Sequence, residues 1–140
     1  EARFSHGDFT HAQVLFDGER VGLVDFDTIC QAEPALDLGQ FLAYMRVAAY
    51  KAGDTDGSAG ERLGEQFLSA YIAAMGPRLE DADRLRVRVS IYQAVSLMRI
   101  AARSWQQRKP ARVRNALAVL QEALEALPLL DYEIGGADGN

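Results

Sequence analysis

The sequence has 140 residues with 20 acidic and 15 basic side chains, a formal net charge of −5 and 49% hydrophobic residues, which suits one folded domain and excludes wholesale disorder. No run of 18 residues is free of charge, and the amino terminus lacks a basic-then-apolar signal pattern, so neither a membrane partner nor export is expected. A single cysteine, Cys30, excludes an internal disulfide or a zinc site built from cysteines, and a cytoplasmic location is the simplest expectation.

Charge is unevenly placed. Residues 1–65 hold 12 acids and 5 bases, and residues 66–140 hold 8 acids and 10 bases. An acidic first part argues against a nucleic-acid polymer as partner and suits a divalent cation or a cationic substrate.

Along the chain, residues 1–33 read as strands and loops. Two apolar runs, 12–16 and 21–26, flank Asp17-Gly18, a strong hairpin signal. Pro34 opens a helical pattern. Leu38, Phe41, Leu42 and Met45 recur on one helical face, which predicts a helix over about residues 34–51. Residues 52–60 read as a flexible polar linker. A second helix over 61–75 carries Leu63, Phe67, Tyr71 and Met75, and Gly76-Pro77 stops it. Asp81 or Asp83 caps a third helix reaching about 107. Residues 84–91 alternate like a strand, but the unbroken helix formers from 94 to 103 decide for helix. A fourth helix, 110–127, has Leu117, Leu120, Leu124 and Leu127 as its apolar stripe, and Pro128 ends it. Residues 135–140 are expected to be disordered. The expected fold is α+β and mostly α: a β-hairpin region (1–33) followed by about four helices (34–134). Trp105 and Tyr92 are assigned to the core, Cys30 to a partly buried position, His11 to solvent, and the arginines of 84–88 to a solvated face.

Three acidic features fall within the first 40 residues: His6-Gly7-Asp8, Asp25-Phe26-Asp27, and Glu33-Pro34-Ala35-Leu36-Asp37. A hairpin brings the residue before its first strand near the residue after its second, so Asp8 and Asp25 are expected at one open end, with Gln13 starting the first strand on the same side. Two carboxylates and an amide oxygen are hard donors of the kind Mg²⁺ accepts, and the two carboxylates repel unless a cation lies between them.

The ordered segments "HGDFTHAQVLF", "VGLVDFD" and "EPALDLGQFL" resemble the aminoglycoside phosphotransferase and choline kinase superfamily, which has a protein-kinase-like fold. The resemblance covers about a quarter of the chain. It implies a C-terminal lobe of that fold and ATP-dependent transfer of the γ-phosphoryl group to a hydroxyl of a small-molecule acceptor, aminoglycoside-like or other. It implies Asp8 as the catalytic aspartate, Gln13 and Asp25 as ligands of Mg²⁺, and His6 and Asp37 as supports of the catalytic loop. Gln13 departs from the family's usual Asn by one methylene. Asp27 is left between facing the phosphates and capping a turn. Glu33 is left between the vicinity of the substrate and an exposed loop position. Because the loop starts so near the first residue, the chain is expected to be a fragment, inactive alone, that buries its open apolar face in a homodimer. Two other readings stay open: a non-catalytic kinase-like binding module, and a Mg²⁺-dependent phosphohydrolase using the same acids.

Overall fold

The computed structural model describes residues 2–54 and 56–125. Its first part is four three-residue strands. β1 (Arg3–Ser5) pairs antiparallel with β4 (Cys30–Ala32), and β2 (Val14–Phe16) pairs antiparallel with β3 (Val21–Leu23). The β2–β3 hairpin turns at Asp17-Gly18. The Asp17 carboxylate accepts from the backbone of Arg20 and Glu19 and pairs with the Arg20 side chain, contacts that hold its pKa below the usual carboxylate value. The β1–β4 pair is an addition to the sequence reading, which had no signal for strands this short. It closes the hairpin region into a loop standing on the helices.

Among the described residues four α-helices follow: α1 (Pro34–Lys51), α2 (Ser58–Met75), α3 (Ala82–Gln106) and α4 (Pro110–Glu125). The molecule is mostly helical, with small antiparallel strand pairs, an α+β arrangement. Pro34 sits at the start of α1, where its missing N–H costs no helical hydrogen bond. Asp81 caps α3 by accepting from the Arg84 N–H. The strand-like alternation of 84–91 is helical here. Leu85 and Val89, one turn apart, are both buried, while Ile91, which a strand would have turned to the same side, is 50% exposed.

α1 is the central element and contacts each of the other helices. One buried cluster joins Ala43 and Val47 of α1 to Leu97 and Ile100 of α3 and to Ala116 and Val119 of α4. A second joins Leu38 and Leu42 of α1 to Leu68 of α2 and to Leu85 and Val89 of α3. Between them α1 and α3 touch at Gly39. A methyl group there would lie 2.6 Å from Tyr92 Cβ and 2.7 Å from the Val89 carbonyl oxygen, so only glycine allows the approach.

Several expectations are corrected. Residues 52–60 are not all linker: α2 begins at Ser58, and Asp54 accepts from the N–H groups of Ala59 and Gly60, satisfying its open first turn. The stripe of α4 that faces inward is Ala116, Val119 and Ala123, with Leu120 beside it. Leu117 and Leu124 are exposed, because the close approach of α3 admits small side chains better than leucines. Leu127 and Pro128, and the expected disordered tail, lie outside the described residues. Trp105 is 74% exposed, not core, and Leu63 and Cys30 are exposed as well. The arginines of 84–88 are only partly a solvated face. Arg86 pairs with Glu65 of α2 at 2.8 Å, and Arg88 pairs with Glu33 at 2.6 Å. Among the described residues no helix is long and apolar enough to cross a membrane.

Candidate active site

The loop between β1 and the hairpin is built on α1. Asp37, in the first turn of α1, accepts two backbone hydrogen bonds, from His6 N at 2.7 Å and from Gly7 N at 2.9 Å. One carboxylate thus satisfies two successive N–H groups and sets the direction in which the chain leaves β1. The His6 ring, 4% exposed, donates through Nε2 to the Val24 carbonyl at 3.0 Å, which ties the loop to the strand end opposite. The Thr28 hydroxyl donates to the His6 carbonyl at 2.9 Å. Gly7 has φ +81°, and a Cβ there would sit 2.2 Å from the Thr28 carbonyl oxygen. Both the turn and the close approach require glycine.

Asp8 follows as a half-buried side chain whose carboxylate accepts from Gln40 Nε2. Gln40 is fully buried on α1, one turn after Asp37. The helix therefore grips the loop twice on one face, through Asp37 and through Gln40. Gln40 is the contact to this candidate site that sequence reasoning missed. Its signal is present, a polar side chain three residues after Asp37 beside the apolar face of Leu38, Phe41 and Leu42.

Gln13 does not start the first strand. It ends a one-turn 3-10 helix (His11–Gln13), and β2 begins at Val14. The Thr10 hydroxyl donates to its side-chain amide oxygen. An amide oxygen keeps a second lone pair, so the contact orients the group without exhausting it. Its backbone carbonyl accepts from Val24 N at 3.1 Å. Val24 is thus bonded on one side to Gln13 and on the other to His6, and Asp25 is the next residue.

Asp25 is likewise not on the strand. β3 ends at Leu23, and Asp25 takes a left-handed conformation, φ 67° and ψ 58°, before a second 3-10 turn (Phe26–Thr28). A non-glycine residue there is uncommon and strained, and such positions concentrate where a side chain must be aimed. The Asp25 carboxylate is exposed and has no hydrogen bond or ion pair among the described residues. Asp27, within that 3-10 turn, is exposed too. Glu33 is not part of the cluster. Its carboxylate is committed to Arg88, and its hydrogen bond with Tyr92 is the main cause that raises the Tyr92 phenol above its usual pKa.

Hydrogen bonds therefore tie His6 and Gln13 to Val24, the residue before Asp25, and tie Asp8 to α1, while Glu33 belongs to the α1–α3 contact. Aromatic rings line the underside. His6 meets Phe26 at 5.1 Å between centroids, Phe9 stacks on Phe41 at 4.9 Å, and Phe41 meets Phe67 at 4.5 Å. This column carries the loop down to α1 and α2.

Among the described residues no group of three or more His, Cys, Asp or Glu side chains is clustered to hold a metal ion. The exposed Asp25 carboxylate and the Gln13 amide oxygen, the two expected ligands, are hard oxygen donors. In donor type they suit Mg²⁺, which commonly takes one or two protein oxygens and completes its shell with water and phosphate oxygens.

A family model described as the phosphotransferase enzyme family matches residues 1–87, more than half the chain. That span contains the loop, the hairpin, α1, α2 and the start of α3. No curated protein and no solved structure gives a significant match.

Proposed function

The chain belongs to the phosphotransferase enzyme family, and from that premise we propose that it forms the catalytic-loop part of a kinase-like lobe that transfers the γ-phosphoryl group of ATP to a hydroxyl of a small molecule. The observation that carries the reading is the double grip of α1 on the loop. Asp37 fixes the His6-Gly7 backbone and Gln40 holds the Asp8 carboxylate, leaving Asp8 a positioned base.

In that reaction the acceptor oxygen forms a bond to the γ-phosphorus as the bond to the β–γ bridging oxygen breaks. ADP leaves with the electron pair, and the hydroxyl proton passes to the Asp8 carboxylate. Positioning and charge neutralisation dominate such chemistry. Asp25 and Gln13 would hold Mg²⁺, which when bound supplies positive charge to the phosphate oxygens. Gln40 keeps Asp8 oriented, and His6 keeps the Asp25 segment in register with the loop.

The test is transfer of labelled γ-phosphate from Mg-ATP by the product of the whole reading frame, with Asp8→Asn beside it. Asp8→Asn keeps the size of the side chain and one hydrogen-bonding oxygen but removes the proton acceptor. It is expected to lower kcat by about 10²–10⁴-fold with nucleotide affinity little changed. Full activity in Asp8→Asn would place the chemistry elsewhere. The binding-module reading draws on Gln13, whose amide is turned back to Thr10. Mg-ATP binding with no transfer to any hydroxyl would select it.

A further inference from the structure

Next to the catalytic loop lies a cavity of about 530 Å³, walled by the His11 turn, the second half of α1 and the amino-terminal end of α4. His11 is three residues after Asp8, so their Cα atoms are at most about 11 Å apart. The floor is apolar, with Val47 and Ala48. The rim is cationic: Lys51 from α1, Lys109 before α4, and Arg112 and Arg114 on α4. Among the described residues no acidic side chain lines the cavity.

This local sign is against the trend of a chain with net charge −5. Among the described residues none of the four cations makes an ion pair. The acids nearest in sequence are occupied elsewhere. Asp54 caps α2, and Glu122 accepts from Arg46 at 2.6 Å and from the Tyr50 hydroxyl. The Arg112 guanidinium lies over the Tyr44 ring, 5.9 Å from its centroid, which gives it a defined place on the wall. The positive end of α4, a 16-residue helix, adds to the same field.

Resting on the phosphotransferase reading, we propose that this cavity is the acceptor site and that the acceptor is an anion, a hydroxyl compound carrying a carboxylate or a phosphate. The cations hold the anionic group at the rim, and the hydroxyl reaches toward the loop that carries Asp8. A polycationic acceptor meets four like charges there and is rejected. The acidic first half of the sequence, which alone suited a cationic substrate, is spent on the loop, the caps and the ion pairs instead.

The test is calorimetric titration of the 140-residue chain, without nucleotide, against glucose 6-phosphate, gluconate, glucose and kanamycin. At least one of the two anions should bind about tenfold or more tightly than glucose, kanamycin should not bind, and added salt should weaken the anion. The two anions distinguish a phosphate from a carboxylate preference. Arg112→Ala with Arg114→Ala should weaken the anion about tenfold or more. Arg99→Ala with Arg103→Ala, exposed on α3 and off the cavity, should leave it unchanged. Helix content by circular dichroism accompanies each variant, and Lys51→Gln with Lys109→Gln gives a second reading should the arginine pair disturb the fold. Equal binding of anions and glucose, preference for kanamycin, or wild-type anion affinity in both rim variants would overturn the proposal. The two readings fail separately. Anion-selective binding without any phosphoryl transfer defeats only the enzyme, and transfer that favours neutral or cationic acceptors defeats only the anionic site.

Discussion

Residues 2–33 and residues 34–125 hold their shapes by different forces. The first region has almost no core of its own: Phe4, Phe16 and Val21 are 70%, 71% and 67% exposed. Its order comes from directed hydrogen bonds, above all Asp37 to His6 and Gly7, Gln40 to Asp8, and His6 to Val24. The helical region is held by two buried apolar clusters that share α1. Apolar burial is non-directional and sets stability. Hydrogen bonds to carboxylates are directional and set geometry. The molecule thus separates a stable base from a site whose angles are specified contact by contact, and α1 serves both, with Leu38 and Leu42 facing the core and Asp37 and Gln40 facing the loop.

The largest effect should come from the base. Leu97 is fully buried between α3, α1 and α4. Leu97→Ala should cost about 2–5 kcal/mol in denaturant unfolding, because the lost methyl groups leave a cavity that packed helices close only in part. A loss under about 1 kcal/mol would mean that the helices do not form the stabilising unit.

Breaking the loop should act locally. Asp37→Ala leaves the His6 and Gly7 N–H groups without their acceptor, at about 1–3 kcal/mol. Hydrogen exchange should quicken at residues 6–8 and 24–28, with protection in α3 and α4 nearly unchanged. Equal acceleration throughout would show that the two regions unfold as one.

A third test concerns a polar tie inside the base. The Tyr50 hydroxyl donates to Glu122, and that hydrogen bond, then burial, pushes its phenol up to about 12 from 10.0. The folded value is the higher one, so the contribution is complete below pH 10 and is lost as pH rises from 10 to 12. The group is half-buried, so about 1 kcal/mol is at stake. NMR titration of labelled tyrosine should place Tyr50 near 12, and Glu122→Gln should move it back toward 10.0. An unmoved midpoint would assign the shift to burial alone.

The smallest effect belongs to the strands. Phe16→Ala should change stability by less than about 0.5 kcal/mol, since the ring is largely in water already. A loss of 2 kcal/mol or more would mean that Phe16 is covered in solution, and sedimentation would then show whether a second copy covers it.

Some of this was set by local sequence alone. Pro34, Asp81 and Pro110 sit at helix starts because a missing N–H or a capping oxygen is a property of one residue and its near neighbours. Asp17-Gly18 makes its turn for the same reason. The order of His6-Gly7-Asp8, Asp25 and Asp37 was enough to show the resemblance to phosphotransferases. What the sequence left open depends on partners far along the chain. Which leucines of α4 face inward was decided by how closely α3 approaches, and the periodicity of α4 could not contain that distance. The backbone of Asp25 looked like strand because it sits at the end of an apolar run, but it follows Val24, which bonds to both His6 and Gln13 as the chain turns. Gln40 read as one polar residue in a helix until the fold brought Asp8 to it. The four cations beside His11 come from two stretches of sequence more than 50 residues apart, Lys51 on one side and Lys109 to Arg114 on the other. Charge summed along the chain gave the wrong sign for that surface, because an electrostatic field adds over distance in space, and only the packing of α4 against α1 set those distances.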